Sequence, residues 1–207
     1  MSSINKKNDQ ENKTVKANQK DLPIISFDTV DKWKNWLSKN HNKSKGIWIR
    51  FYKKGSDVVS VKYKETLMEA LCYGWIDGQL DKYDDDSYLQ KFTPRRAKSI
   101  WSKRNIEYVS QLQKEGRMKP AGLKEVETAK TDERWKKAYD SPGNMKIPDD
   151  FIKLISKNKK AYEFFKTLNK TNMYSIGWRL ETAKKPETRE KRIITIIEKL
   201  AKGEKFH

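Results

Sequence analysis

The stretch WIDGQLDKYDDDSYLQKFT, residues 75–93, restricts the fold more than any other. Two runs of strand-forming residues flank three consecutive aspartates, whose short side chains accept hydrogen bonds from nearby backbone amides and so favour a tight reversal. The pattern predicts a strand over 75–83, a turn at 84–87 and a return strand over 88–93. The alternative use of such a turn is to hold a hard cation. The twelve-position loop with its central glycine and terminal glutamate is absent, so no metal is expected.

A second alternating run, GIWIRFYKK, sets Ile47, Ile49 and Phe51 against Trp48, Arg50 and Tyr52, as a strand with one buried face would. Gly55-Ser56-Asp57 would turn it, and Val58 to Val61 would pair back as a second hairpin. Helical spacing begins after Asp28, read as an N-cap, with Val30, Trp33, Trp36 and Leu37 recurring through Asn40. KETLMEALCYG reads as a short buried helix stopped by Gly74, and a further helix over 99–115 ends at Gly116. A short helix around 123–129 then leads through a Gly- and Pro-bearing connector to Pro148. Beyond it, three helical segments follow, the last placing Ile193, Ile196, Ile197 and Leu200 on one face. The expected fold is therefore α+β. Residues 21–145 form an antiparallel sheet of two hairpins packed with helices, and 146–207 form a small all-helical domain. Residues 1–20, MSSINKKNDQENKTVKANQK, contain no aromatic residue and few apolar side chains to offset the entropy of ordering; they read as a disordered basic tail.

Composition limits the chemistry. One cysteine, Cys72, leaves no internal disulfide, and two histidines are too few for a structural zinc site. No apolar run suits a membrane span or a secretory signal, and the expected location is the cytoplasm. Phosphate loops, nucleophile elbows and paired-cysteine motifs are all missing, so no cofactor and no catalytic residue is assigned and the chain reads as a binder more readily than an enzyme. The net charge is +18, and residues 151–207 hold 15 basic against 6 acidic residues, a net of +9. Such a field attracts polyanions. Sequence-independent nucleic-acid binding is the alternative function, disfavoured because no recognisable nucleic-acid motif accompanies the charge.

The densest group of ligand-capable side chains is Thr93-Pro94-Arg95-Arg96 followed by Ser99, Trp101, Ser102 and Asn105. Two planar guanidinium groups beside a helix start suit a carboxylate or phosphate. Trp75 and Asp77, on the hairpin, complete the candidate set of Trp75, Asp77, Arg95, Arg96, Ser99, Trp101, Ser102 and Asn105. The same residues have a framework reading, in which Arg95 or Arg96 pairs with Asp77 or Asp81 and Trp101 sits in the core.

Four ordered blocks, EALCYGWIDGQ, FTPRRAKSIWSKRN, GRMKPAGL and AKKPETREKRI, resemble the YdeI/OmpD-associated family of bacteriocin-protection proteins. Trp75, Asp77 and Gly78 match its GWIDG block; Pro94, Arg95 and Arg96 its PRR block; Ser99, Trp101, Ser102 and Asn105 its S.WS..N block. Thr188, Arg189 and Arg192 match its C-terminal block. The resemblance implies a bacterial protein tied to tolerance of bacteriocins and cationic antimicrobial peptides and to stress. It implies no reaction, cofactor or catalytic residue, and leaves the partner as an unknown protein or a small anionic ligand.

Overall fold

A computed structural model describes residues 22–140 and 144–206; the tail expected over 1–20 lies outside them. The chain divides into two compact units, one ending at Arg95 and the other beginning at Arg96. The boundary expected at 145 falls inside the second unit, in the stretch before its third helix.

The first unit runs β1 (Ile24–Ile25), α1 (Val30–Asn40), β2 (Ile47–Tyr52), α2 (Tyr63–Cys72), β3 (Trp75–Lys82) and β4 (Ser87–Pro94). Its four strands lie in the order β1-β2-β4-β3. The α+β class holds, but the sheet is mixed. β3 and β4 form the expected antiparallel hairpin, with Trp75 opposite Pro94 and Lys82 opposite Tyr88 and a bulge between Asp77 and Leu80. The second expected hairpin does not form. β4 takes the whole length of β2, from Ile47 opposite Phe92 to Tyr52 opposite Ser87, and β1 pairs in parallel with the start of the other edge. Residues 58–61 are displaced into a loop: Val58 and Val59 are 49% and 72% exposed, Ser60 Oγ accepts from the Tyr52 amide, and the Val61 amide donates to the Phe27 carbonyl. The eight residues of β4, with Leu89 and Phe92 fully buried, offer β2 a longer apolar partner than a four-residue return could.

Aromatic packing fills the core of this unit. Trp33, from α1, touches Phe27, Trp36, Trp75 and Phe92 with ring centroids 5.2 to 6.4 Å apart, and its indole N–H donates to the Thr66 carbonyl at 3.0 Å. The α1 cap is Thr29, not Asp28: Thr29 is extended and accepts from the Lys32 amide, whereas Asp28 pairs with the Lys32 ammonium at 2.7 Å. α2 ends as its sequence predicts, with Gly74 at φ 73°. β2 departs from a single buried face, because Trp48 is as buried as its neighbours, with the Lys91 ammonium 5.5 Å from its ring.

The acidic turn is tied down by the opposite strand. Asp84 accepts from its own turn at the Asp86 amide (3.0 Å), from the Ser87 hydroxyl (2.6 Å) and from the Arg50 guanidinium (2.7 Å). Arg50 in turn lies over the rings of Tyr52 and Tyr83 at 4.6 and 4.7 Å. The bonds made by Asp84 are those of hairpin punctuation.

The second unit is helical: α3 (Lys103–Lys114), α4 (Pro120–Thr131), α5 (Asp149–Ile155), α6 (Lys159–Lys166), α7 (Lys170–Glu181) and α8 (Pro186–Ala201). Ser102 caps α3, so that helix starts four residues after the expected Ser99. The continuous run from Phe151 breaks into two helices because Asn158 accepts from the Ala161 amide and starts a new one. Phe151, Ile155, Phe165, Ile176, Leu180, Ile193, Ile196 and Leu200 close the C-terminal core.

Candidate anion-binding site

The residues singled out from sequence fall in both units. In the first, Trp75 is 1% exposed, with its indole N–H donating to the His41 carbonyl at 3.0 Å. The Asp77 carboxylate accepts the Tyr63 hydroxyl at 2.6 Å, so Tyr63 and not an arginine engages it. Arg95 is buried at 7% exposure, and its amide donates to the Gly74 carbonyl, closing the base of the hairpin.

In the second unit, Arg96 is exposed on a turn closed by the Ser99 amide. The Ser99 carbonyl accepts from Arg134 at 2.7 Å. Trp101 is buried against Trp135, with centroids 5.0 Å apart, and its carbonyl accepts the Tyr139 amide. The Ser102 hydroxyl accepts from the amide of the buried Asn105. Of these five, the side chain of Arg96 is the most open to solvent, and the others are built into the packing around α3.

A different cluster has the electrostatics of an anion site. α8 carries Thr188, Lys191, Arg192 and Thr195 at positions i, i+3, i+4 and i+7, one helical face opposite the apolar stripe. With Trp178 and Arg179 of α7, Ile196 of α8 and Phe206, they line a cleft of about 360 Å³. Arg192 is held by its Nη1, which donates to the Arg179 carbonyl at 2.6 Å and to Thr182 Oγ1 at 3.2 Å, on the final turn of α7, where a cation meets the negative end of the helix. Arg179 Nη1 donates to Ser175 Oγ at 2.6 Å, and its guanidinium carbon lies 4.7 Å from the Phe206 ring centre. Among the described residues neither arginine nor Lys191 forms an ion pair, and no carboxylate lines the cleft. Arg189, one step round the helix, differs: Asp150 neutralises it at 2.6 Å and is itself held below its ordinary acidity range by that bond.

Three cations with no ion pair among the described residues, two threonines and an indole wall can bind a phosphate or carboxylate without any covalent chemistry. The sequence pointed to Thr188 and Arg192 through the family block and missed Arg179, Lys191 and Thr195. The i, i+3, i+4, i+7 stripe was there to be read for the α8 members. Arg179 had no sequence signal, since only packing of α7 on α8 brings it in.

Residues 25–125 match a family described as a domain of unknown function, and residues 144–203 match the family of bacteriocin-protection, YdeI or OmpD-associated proteins. No curated protein and no solved structure matches the chain. The cleft-lining residues from Trp178 to Ile196 lie inside the second match, while the GWIDG, PRR and S.WS..N blocks lie inside the first. Over residues 144–203 the chain is similar to the bacteriocin-protection, YdeI or OmpD-associated family.

Proposed function

We propose that the protein serves a bacteriocin-protection role as a non-enzymatic binder of a small anionic ligand, held in the cleft between α7 and α8. The observation that carries this reading is the convergence of Arg179, Lys191 and Arg192 on one cleft with no carboxylate among its lining residues. Uncompensated cations held close together repel one another, and an anion relieves that repulsion as it binds. Arg96, exposed where Arg95 is buried, does not line this cleft and is the member of the PRR block we carry forward as a separate anion contact.

The test is the melting temperature of the full chain against inorganic phosphate and pyrophosphate, with chloride at matched ionic strength as control. Pyrophosphate should raise the melting temperature of the parent by mass action, and Lys191→Gln and Arg179→Gln should each abolish most of that rise. An equal rise in chloride, or an undiminished rise in both variants, overturns the assignment.

The net +9 of residues 151–207 supports a second reading, sequence-independent nucleic-acid binding. It predicts duplex binding whose affinity falls steeply with salt. A gel shift at low salt with no retarded species at micromolar protein removes it.

A further inference from the structure

A second cleft, about 280 Å³, is lined by Ile100, Asp132, Arg134, Lys137, Tyr139, Glu181, Thr182 and Lys184 and shares no lining residue with the anion cleft. Its charges are sorted to two sides. On one, the Arg134 side chain is 7% exposed, with Nε donating to both Asp132 oxygens at 2.8 and 2.7 Å and Nη1 to the Ser99 carbonyl at 2.7 Å. Nη2 makes no hydrogen bond among the described residues. Lys184 is close enough to act on Asp132, and Lys137, which also lines the cleft, is neutralised by Glu133 at 3.0 Å, so this side has two cations and one carboxylate beyond that pair. On the other side, Glu181 accepts the Asp140 amide at 3.4 Å, while Asp140 holds the Lys103 ammonium at 2.7 Å. That side has two carboxylates and one cation, and it sits at the end of α7, where the helix contributes further negative potential.

The same cleft has apolar lining from Ile100 and the ring of Tyr139, the latter fixed edge-on to Trp178 with centroids 6.2 Å apart. The backbone is bent to make this arrangement. Of the described non-glycine residues, Lys98 and Glu133 have left-handed backbones, at φ 67° and 63°. Lys98 precedes the carbonyl that receives Arg134, and Glu133 separates Asp132 from Arg134. Left-handed backbone at residues with a Cβ is unfavourable and concentrates at functional sites. Here both instances serve the placement of one guanidinium.

We infer that this cleft binds a small zwitterion, an α-amino acid or the equivalent charges of a short peptide, with its carboxylate at Arg134 and Lys184, its ammonium at Glu181 and an apolar side chain against Ile100 and Tyr139. A simple anion would meet Glu181 unpaired, and a simple cation would meet Lys184. A ligand carrying both charges satisfies both poles.

The experiment is an NMR titration of the ¹⁵N-labelled full chain with L-leucine, L-leucinamide, N-acetyl-L-leucine and the dipeptide Leu-Gly, following the backbone amides of residues 134, 139 and 181–184 and the Trp135 indole. L-Leucine or Leu-Gly should shift these signals with a Kd at least about tenfold below those of both singly blocked compounds. The tighter of the two zwitterions identifies whether a free amino acid or a peptide is the source. Arg134 is also built into the fold, so the variants are the exposed Glu181→Gln and Lys184→Gln, with melting temperature as the folding control. Glu181→Gln should bring L-leucine down to the affinity of N-acetyl-L-leucine, and Lys184→Gln should bring it toward that of L-leucinamide. No shift at about 20 mM of either zwitterion, or equal binding of blocked and unblocked forms, overturns the inference.

Discussion

Replacing Asp84 by asparagine tests whether the acidic run serves as the fastening of the hairpin. The Asp84 side chain is 15% exposed and accepts from the Ser87 hydroxyl, the Asp86 amide and the Arg50 guanidinium, which is 27% exposed. Asparagine keeps the shape and one acceptor oxygen but loses the charge that faces Arg50. Hydrogen bonds to charged groups contribute about 1.5–3 kcal/mol, and part of that survives in the amide, so the loss should be about 1–2 kcal/mol at neutral pH. For a chain of this length that is a fall of roughly 3–6 °C in melting temperature. The control is Asp85→Asn: its carboxylate is 94% exposed and pairs with a lysine, Lys82, that is itself 69% exposed, so no measurable change is expected. The pH dependence has a definite sign. The Ser87 hydroxyl, foremost, then the Asp86 amide and Arg50 outweigh the opposing effect of burial and hold Asp84 below the ordinary 3.8. A carboxylate depressed in the folded state stabilises at pH values above its unfolded pKa, and the contribution disappears as pH falls through the folded one. The gap between parent and Asp84→Asn should therefore be constant above about pH 5 and should narrow below about pH 4. Urea denaturation across that range measures it. Equal losses in the Asp84 and Asp85 variants, or a gap that widens in acid, would refute the role given to Asp84.

Trp33→Phe should cost about 1–2 kcal/mol in urea denaturation, because it removes the indole N–H bond to the Thr66 carbonyl at 3.0 Å while α2 still bonds that carbonyl, and Trp33→Ala about 3–5 kcal/mol through the cavity it opens. Arg95→Ala should lower stability by about 3 kcal/mol, since the side chain is buried at 7% exposure, while Arg96→Ala should leave the melting curve unchanged and weaken only the response to added phosphate. The reverse order of the two arginines would overturn the division of the PRR block into framework and contact.

What could be read from the chain alone was whatever depends on neighbours in sequence. The 75–94 hairpin was legible because alternation and a run of turn-forming aspartates act over a few residues, and Gly74 and Gly116 marked helix ends because each adopts the left-handed backbone, at φ 73° and 64°, that other residues resist. The buried Cys72 and the C-terminal stripe of Ile193, Ile196 and Leu200 followed from the same local periodicity. Strand pairing did not. Val58 to Val61 has the composition of a strand, yet β2 is already paired to β4 along its whole length, and two residues at 24–25, too short to show any period, claim part of its other edge. Competition among distant segments for one edge is a tertiary quantity. The same holds for the sites. The charge of residues 151–207 was visible in composition, but Arg179 joins Lys191 and Arg192 only because α7 packs on α8, and Arg134 faces Glu181 only because the turn after α4 is carried to the end of α7. The sequence could count these charges; folding determined which of them face one another across a cleft.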